Sequence, residues 1–244
     1  MDYDLWVSAI RSNIDRLADA ADEAGVDARV PSCPEWTVAD LLEHVGQAQR
    51  RWAWLVAIRS TDPPDFRSRT DAPDGEALVE WARFGGHELA EVLAATPPDT
   101  SVWTWTGTGT ARFWARRQAH ETVVHRCDAE LANGEIGALD PDLAADGIDE
   151  FFELLLMVPA ASAIRGNGET VHVHCTDRDV EWLAELTPEG LRARREHAKA
   201  DVAVRGPAAA VFLALWNRIG YDNPELEVFG DRALLERWRR IATI

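Results

Sequence analysis

The chain has 244 residues, of which 46% are hydrophobic and 27% charged, a balance that supplies an apolar core and excludes disorder as the default. Its net charge of −17 argues against nucleic acid as the main partner, because phosphate contacts need Lys and Arg. No apolar run is long enough for a membrane span, and Asp2 and Asp4 stand where a signal peptide is basic. We therefore expect a soluble, cytoplasmic monomer or homodimer that binds neither nucleic acid nor membrane.

Apolar residues at helical spacing predict four long helices in the first half of the sequence. These helices cover about residues 3–24, 38–58, 75–95 and 111–132. Thr37, followed three residues later by Asp40, indicates a capping box at the start of the second helix, and Asp74 is the predicted cap of the third. Residues 96–110 are rich in Thr and Gly and are expected to form a loop. Four such helices predict a four-helix bundle.

The second half predicts a mixture of helices and short strands. A helix begins at Pro141 and is expected to end near Pro159. Strand patterns follow at residues 169–176, 179–186, 190–197, 200–206 and 225–230, and helical patterns at 207–220 and 231–241. We predict an α+β fold with two domains, namely a bundle over residues 1–137 and a domain with a mainly antiparallel sheet over residues 138–244.

The sequence H-E-x-x-x-H in the fourth helix is the most informative arrangement of the seven histidines. Glu121 and His125 lie at positions i and i+4 and share one helix face. His120 lies about 140° from His125 around the helix. His44 occupies an apolar stretch of the second helix, from which a bundle can direct it towards the fourth helix. His44, Glu121 and His125 together form a nitrogen and oxygen donor set for a divalent metal. Zn²⁺ fits this set best, with Ni²⁺ and Fe²⁺ left open.

Several alternatives to this metal site remain open. A single histidine on an apolar helix face is more often a hydrogen-bonded core residue, and Glu-x-x-x-His also occurs as a surface pair. His87 in the third helix is the competing third ligand. His172 and His174 share one face of a predicted strand and are expected to face solvent, so metal binding there is the weaker alternative.

The cysteines and tryptophans have simpler interpretations. Three cysteines without a C-x-x-C motif predict small buried side chains rather than a disulfide framework or a cysteine zinc site. Tryptophans near the motifs would suit a pocket wall, but core packing is the simpler interpretation. The cysteines are Cys33, Cys127 and Cys175, and the tryptophans are Trp36, Trp52, Trp103, Trp105 and Trp114.

Three segments together resemble one known family. They are VPSCPEWTVADLLEHVGQAQRRWA, RRQAHETVVHRCDAE and, near the C-terminus, VRGPAAAVFLALWNRIG. The chain resembles the mycothiol-dependent maleylpyruvate isomerases over nearly its whole length. This resemblance implies a DinB-like metal-binding bundle, followed by a small α+β domain similar to sterol carrier proteins. It also implies that the metal ligands of the family fall on His44, Glu121 and His125.

The resemblance further implies a mechanism. In this family a metal binds the thiol of mycothiol and holds it as a thiolate, which attacks an electrophilic carbon. Addition to an activated double bond permits rotation and gives an isomerase, whereas other members transfer the thiol to the electrophile. The competing interpretation is a non-catalytic protein that binds or senses metal or thiol and binds a ligand through its second domain.

An acidic substrate also needs a cationic contact. Arg218 aligns with an arginine that the family pattern places at the end of a helix, and the resemblance therefore implies a substrate-binding role for it. Arg205 is an alternative. The simpler interpretation of Arg218 is a structural arginine at a helix C-terminus, where positive charge is favourable.

Overall fold

The computed structural model describes residues 1–157 and 164–242. Its chain divides into two compact units, Met1–Ala138 and Leu139–Ile244. The first unit is a helical bundle and the second combines helices with a sheet, which confirms the predicted fold class. None of the described helices combines the length and apolar character that crossing a membrane requires.

Four helices build the first unit: α1 (Tyr3–Ala24), α2 (Val38–Ala57), α3 (Ala77–Ala94) and α4 (Ala111–Ala132). Both α1 and α2 pack against α3 and α4, so α1 and α2 lie diagonally across the bundle. Apolar side chains from α1, α2 and α3, such as Ile14, Leu41 and Ala82, are fully buried between the helices. This arrangement makes α2 and α4 neighbours in space. In the sequence, 53 residues lie between Ala57 and Ala111, and they include α3 and the segments on either side of it.

The start of α2 is fixed by the predicted capping box. The Thr37 side chain accepts a hydrogen bond from the Asp40 backbone amide, and the Asp40 carboxylate accepts one from the Thr37 amide at 2.8 Å. These hydrogen bonds hold the pKa of the Asp40 carboxyl below its usual value. The preceding loop runs back along this end of α2, where the Val38 amide donates to the Ala28 carbonyl at 2.9 Å.

The predicted start of α3 is wrong by two residues. The helix begins at Ala77 after Glu76, and neither Asp74 nor Glu76 provides a side-chain cap. Gly75 has a φ of +65°, a left-handed conformation that a right-handed helix does not include. The helix therefore starts only after this glycine.

The predicted loop before α4 contains a β-hairpin. Strand β1 (Ser101–Thr104) pairs with the antiparallel strand β2 (Gly107–Thr110), and Thr104 lies opposite Gly107. The hairpin is held against α4, because the indole nitrogen of Trp114 donates to the Trp103 carbonyl at 2.7 Å. Sequence reasoning missed these strands because the pairing is stabilised by this contact with a neighbouring helix, which the local Thr and Gly pattern does not encode.

The second unit is built on a five-stranded sheet with the order β5-β4-β3-β6-β7. Its strands are β3 (Glu169–Cys175), β4 (Glu181–Thr187), β5 (Gly190–Arg194), β6 (Val202–Gly206) and β7 (Glu227–Gly230). Its helices are α5 (Pro141–Met157), α6 (Ala208–Leu215) and α7 (Arg232–Ile241). All neighbouring strands are antiparallel except β3 and β6, which confirms a mainly antiparallel sheet. The end predicted for α5, near Pro159, lies outside the described residues.

Strand β3 shows the predicted alternation, but one of its histidines is not where we expected it. Val171 and Val173 are buried, and both α6 and α7 pack against β3. His172, on the opposite face, was expected to face solvent, yet only 5% of it is exposed. The reason is that the chain after β5 brings His197 over this face, with its ring centroid 5.9 Å from that of His172.

Close approach of α1 and α3 generates a test of the bundle. A Cβ added at Gly86 would lie 2.4 Å from Ile14 Cγ1 in the core, whereas one added at Gly85 would meet only the flexible guanidinium of Arg50. We expect Gly86→Ala to lower the free energy of unfolding by about 1–3 kcal/mol through overpacking. The control, Gly85→Ala, should be neutral or stabilising by up to ~1 kcal/mol from helix propensity. Urea denaturation followed by tryptophan fluorescence checks this, and equal stability of both variants would contradict the described packing.

Candidate metal centre

The structure brings His44, Glu121 and His125 together where α2 packs against α4. One donor atom from each of these side chains can be chosen so that all three lie within 4.8 Å of one another. The imidazole centroids of His44 and His125 are 5.0 Å apart, with the rings nearly perpendicular. His44 therefore lies beside α4, on the side that carries the Glu121 and His125 pair.

Glu121 is held by cations on both sides. Its Oε1 lies 2.9 Å from Nη2 of Arg117, one turn earlier in α4, and its Oε2 lies 3.3 Å from Nε2 of His125, one turn later. Burial on its own would raise the pKa of this carboxyl, but Arg117 and His125 together hold it well below its usual range. Glu121 is therefore a carboxylate at neutral pH, which is the form that binds a metal.

His125 is oriented by a second carboxylate. Its Nδ1 donates to Oδ2 of the fully buried Asp128 at 2.8 Å, and this contact leaves Nε2 directed at Glu121. The other oxygen of Asp128 accepts a hydrogen bond from the Ser32 hydroxyl at 2.5 Å. Burial opposes protonation of His125, but hydrogen bonds with Asp128 and Glu121 raise its pKa to about 9. A carboxylate on the far nitrogen of a histidine is the usual outer partner of a metal-binding imidazole.

His44 has the opposite electrostatic environment. Although the residue as a whole is exposed, desolvation of its imidazole and the nearby positive charge of His125 lower its pKa to about 4. The ring is therefore neutral at physiological pH and has a lone pair available for a metal. Trp36, from the loop before α2, lies beside it with ring centroids 5.0 Å apart. The P-S-C-P-E-W segment thus supplies both Trp36 beside the histidines and Ser32 behind Asp128.

A cavity of about 10 Å³ lies among these side chains. That volume corresponds to about one water-sized probe and therefore suits a single small ligand atom or ion. The buried amide of Gln49 also lines the cavity, and its Oε1 accepts no hydrogen bond among the described residues. The cavity thus joins three donor side chains and one unsatisfied carbonyl oxygen.

Other residues considered from the sequence do not join this group. His87 lies on α3 and pairs with Asp15 of α1 at 2.8 Å, so it is not the third member of the cluster. His120 is fully buried and is not part of the cluster among the described residues. Cys127 and Cys175 are free and buried, and burial raises the pKa of their thiols to about 11 and about 12.

Three of the tryptophans near the motifs have different roles in the packing. Trp36 contacts the site histidines, whereas Trp52 and Trp114 stack in the bundle interior with ring centroids 3.7 Å apart. Trp114 is fully buried and Trp52 nearly so. Core packing, the simpler interpretation, therefore holds for this pair.

Sequence reasoning missed the residues that orient the cluster. Arg117, Glu121, His125 and Asp128 follow one another at spacings of four, four and three residues, so they share one face of α4. This spacing was visible in the sequence and was sufficient to identify Arg117 and Asp128. The contribution of Ser32 gave no such signal, because 96 residues separate it from Asp128.

The two arginines considered for substrate binding lie in the second unit. Arg218 follows α6, is half-buried and donates to the Trp216 carbonyl at 2.6 Å. Arg205 lies on β6 and is exposed, with Nη1 3.4 Å from a carboxylate oxygen of Glu227. A role for either residue in binding a substrate stays a prediction.

The fold and the site together define a class of protein: a four-helix bundle with two histidines and a glutamate between two helices, followed by an α+β domain. The mycothiol maleylpyruvate isomerase N-terminal domain model matches residues 7–130, and the MDMPI C-terminal domain model matches residues 142–237. The chain therefore belongs to the mycothiol-dependent maleylpyruvate isomerase family, as its sequence resemblance predicted.

Solved structures share this architecture. Crystal structures of the mycothiol-dependent maleylpyruvate isomerase and of its histidine-to-alanine mutant are 14% and 15% identical to this chain, with TM-scores of 0.62 and 0.63. In both comparisons 93% of this chain and 93% of the other chain are covered. At this identity the likeness shows a common fold. No curated protein matches the chain by sequence.

The coupling of His125 to Asp128 can be measured in the metal-free protein. We expect His125 to titrate at a pKa of about 9 by NMR and His44 at about 4. Asp128→Asn should lower the pKa of His125, because it removes the carboxylate charge that favours the imidazolium. The exposed Asp22→Asn is the matched control and should leave both values unchanged. A His125 pKa near the ordinary value in the unsubstituted protein would contradict the described contacts.

Proposed function

We propose that this chain is a metal- and mycothiol-dependent enzyme that uses a thiolate to attack an electrophilic substrate, by isomerisation or by transfer of the thiol. The observation that carries the proposal is the convergence of His44, Glu121 and His125 on one small cavity. Membership of the isomerase family supports the identity of the thiol. We further propose that the protein acts in the cytoplasm.

The donor set fits a catalytic divalent metal, and zinc best of all. Two imidazole nitrogens and one carboxylate oxygen are typical zinc ligands, and three protein ligands leave a position for a substrate atom. Glu121 is already ionised and His44 already neutral, so both offer lone pairs at physiological pH. His125 offers Nε2, because Asp128 occupies Nδ1. We propose that these three residues hold the metal.

The remaining side chains orient this set. When bound, a metal at this position lowers the pKa of a coordinated thiol, so that the thiolate persists at neutral pH. Arg117 fixes one oxygen of Glu121, and Asp128 fixes the ring of His125, which limits the reorganisation that ligand binding requires. The raised pKa values of Cys127 and Cys175 make both poor nucleophiles, which is in keeping with a thiol supplied from outside the protein.

An anionic electrophile requires a cationic contact, and we propose Arg218 for that role. Its guanidinium is permanently charged and presents several donors to a carboxylate. Arg205 is the alternative, and it lies exposed on β6 with Nη1 3.4 Å from a carboxylate oxygen of Glu227.

The metal content of the purified, unchelated protein tests the ligand set. We expect Glu121→Ala and His44→Ala each to lower the metal content by about one divalent ion per chain. The loss in affinity should exceed the roughly 10–100-fold that follows removal of an outer partner such as Asp128. Elemental analysis after dialysis measures this.

Matched controls for this experiment lie on α3. Glu91→Ala changes an exposed glutamate, and His87→Ala removes the histidine that competes for the third position. Neither should alter the metal content. Full metal occupancy in His44→Ala, together with loss in His87→Ala, would overturn the proposed set.

Turnover of an electrophile with mycothiol tests catalysis separately from binding. We expect maleylpyruvate isomerisation, or loss of thiol to an electrophile, in the metal-loaded protein and no reaction in Glu121→Ala. Arg218→Ala should raise KM for an anionic substrate by about 10-fold or more with unchanged metal content, because a charge-assisted hydrogen bond is lost. Saturable binding of mycothiol without turnover of any electrophile would contradict the enzymatic proposal and favour a binding or sensing protein.

A further inference from the structure

A second cluster of histidines and a glutamate lies on the sheet of the second unit. His172 and His174 alternate along β3 and therefore share one face of the sheet. Glu181 is the residue of β4 that lies directly opposite His174 in the strand register. His197 follows β5 in the connection to β6 and returns over the same face. Three of the four side chains come from strands β3 and β4 and one from the β5–β6 connection, and all four lie together on one face of the sheet.

Glu181 is the centre of this cluster. Its Oε1 lies 2.6 Å from Nδ1 of His174, and its Oε2 lies 2.7 Å from Nδ1 of His197. Oε2 also lies 3.4 Å from Nε2 of His172. One donor atom from each of His172, Glu181 and His197 can be chosen so that the three lie within 4.8 Å of one another. Ligands of a tetrahedral zinc ion are about 3.4 Å apart, so small movements would complete such a site.

The environment of His172 is the observation that points to a ligand. The residue is only 5% exposed, and its Nε2 has no hydrogen-bond partner among the described residues. The ring is oriented by a hydrogen bond with the backbone of Glu196. A buried imidazole nitrogen without a hydrogen bond costs free energy, and coordination of a cation would remove that cost. The cluster therefore has one buried, oriented donor whose lone pair is unused.

We propose that His172, Glu181 and His197 form a second divalent-metal site, with His174 bound to the free oxygen of Glu181 as its outer partner. Imidazole and carboxylate donors suit zinc and related transition metals rather than calcium or magnesium. His197 has a side chain that is 83% exposed and lies in the β5–β6 connection, so it is free to adjust to an ion. A bound metal would tie this connection to β3 and β4. The site lies wholly within the second unit and does not rest on the proposed function.

The competing explanation is a set of ion pairs without a metal. Glu181 would then neutralise whichever of His174 and His197 is protonated, as exposed carboxylate and histidine pairs do. The two explanations differ in one respect: only a metal site loses affinity for a cation when His172 or His197 is removed. Cation binding, rather than stability alone, therefore distinguishes them.

The test uses the full chain with the first centre disabled by His44→Ala and Glu121→Ala. This chelator-treated protein is titrated with Co²⁺, whose visible absorption reports coordination, and with Zn²⁺ by equilibrium dialysis. We expect about one ion per chain at micromolar concentration, visible bands typical of nitrogen and oxygen ligands, and a Tm that rises with Zn²⁺ concentration. Adding His197→Ala or Glu181→Gln should each weaken binding by more than about 100-fold, because each change removes a direct ligand rather than an outer partner.

His87→Ala is the matched control, because His87 also pairs with a carboxylate but joins no metal-ligating cluster within the described part of the chain. It should leave binding unchanged. His172→Ala removes a buried side chain, so the exposed His197 keeps the test valid if that variant fails to fold. Absence of Co²⁺ and Zn²⁺ binding in the disabled background would overturn the proposal, as would binding that His197→Ala and Glu181→Gln leave intact.

The design also separates this site from the first centre. With both sites present, the unsubstituted protein should bind about two ions, one lost with Glu121→Ala and one with His197→Ala. If the first centre binds no metal, the unsubstituted protein should still bind one ion, and His197→Ala should remove it.

Discussion

The chain of charges along one face of α4 is the constraint on which the first unit depends. Arg117, Glu121, His125 and Asp128 are brought to neighbouring turns by the helix period, and each contacts the next within 3.3 Å. A charge is tolerated in a protein interior only when it is paired, because pairing offsets the free-energy cost of removing it from water. Each residue of this series provides the opposite charge for the next. The same pairing keeps Glu121 ionised and directs Nε2 of His125 at it. Core packing and ligand chemistry therefore impose the same demand on these residues.

The two units assemble their clusters by different structural means. In the bundle, the i and i+4 spacing of a helix aligns Glu121 with His125, and the packing of α2 adds His44. In the sheet, the two-residue period of β3 aligns its histidines, and the strand register adds Glu181. Both clusters contain a glutamate between imidazoles, yet among the residues that the structure describes only the glutamate of the first cluster pairs with an arginine. That cation helps to hold the pKa of Glu121 below its usual range, so the carboxylate stays ionised beside His125.

Local signals in the sequence predicted most of the elements and part of the site. Helix α1 has the predicted bounds because its apolar periodicity is long, and α4 also has the predicted bounds. The Thr37 capping box is visible in four residues of sequence. The hairpin before α4 and the burial of His172 were missed, because both depend on contacts with distant segments. Glu121 and His125 form a local pair, whereas adding His44 required either a guess about neighbouring helices or the family resemblance. The contact of Ser32 with Asp128 exists only in the folded chain.

Zinc K-edge X-ray absorption of the zinc-loaded protein, with and without mycothiol, tests the central claim most directly. The variant His197→Ala is the appropriate protein, because it disables the proposed second site and leaves the proposed first site intact. We expect a shell of nitrogen and oxygen atoms alone in the free protein, and a new sulfur atom about 2.3 Å from the metal when mycothiol is added. A shell without sulfur at saturating mycothiol would contradict the claim that His44, Glu121 and His125 hold a metal that binds the thiol.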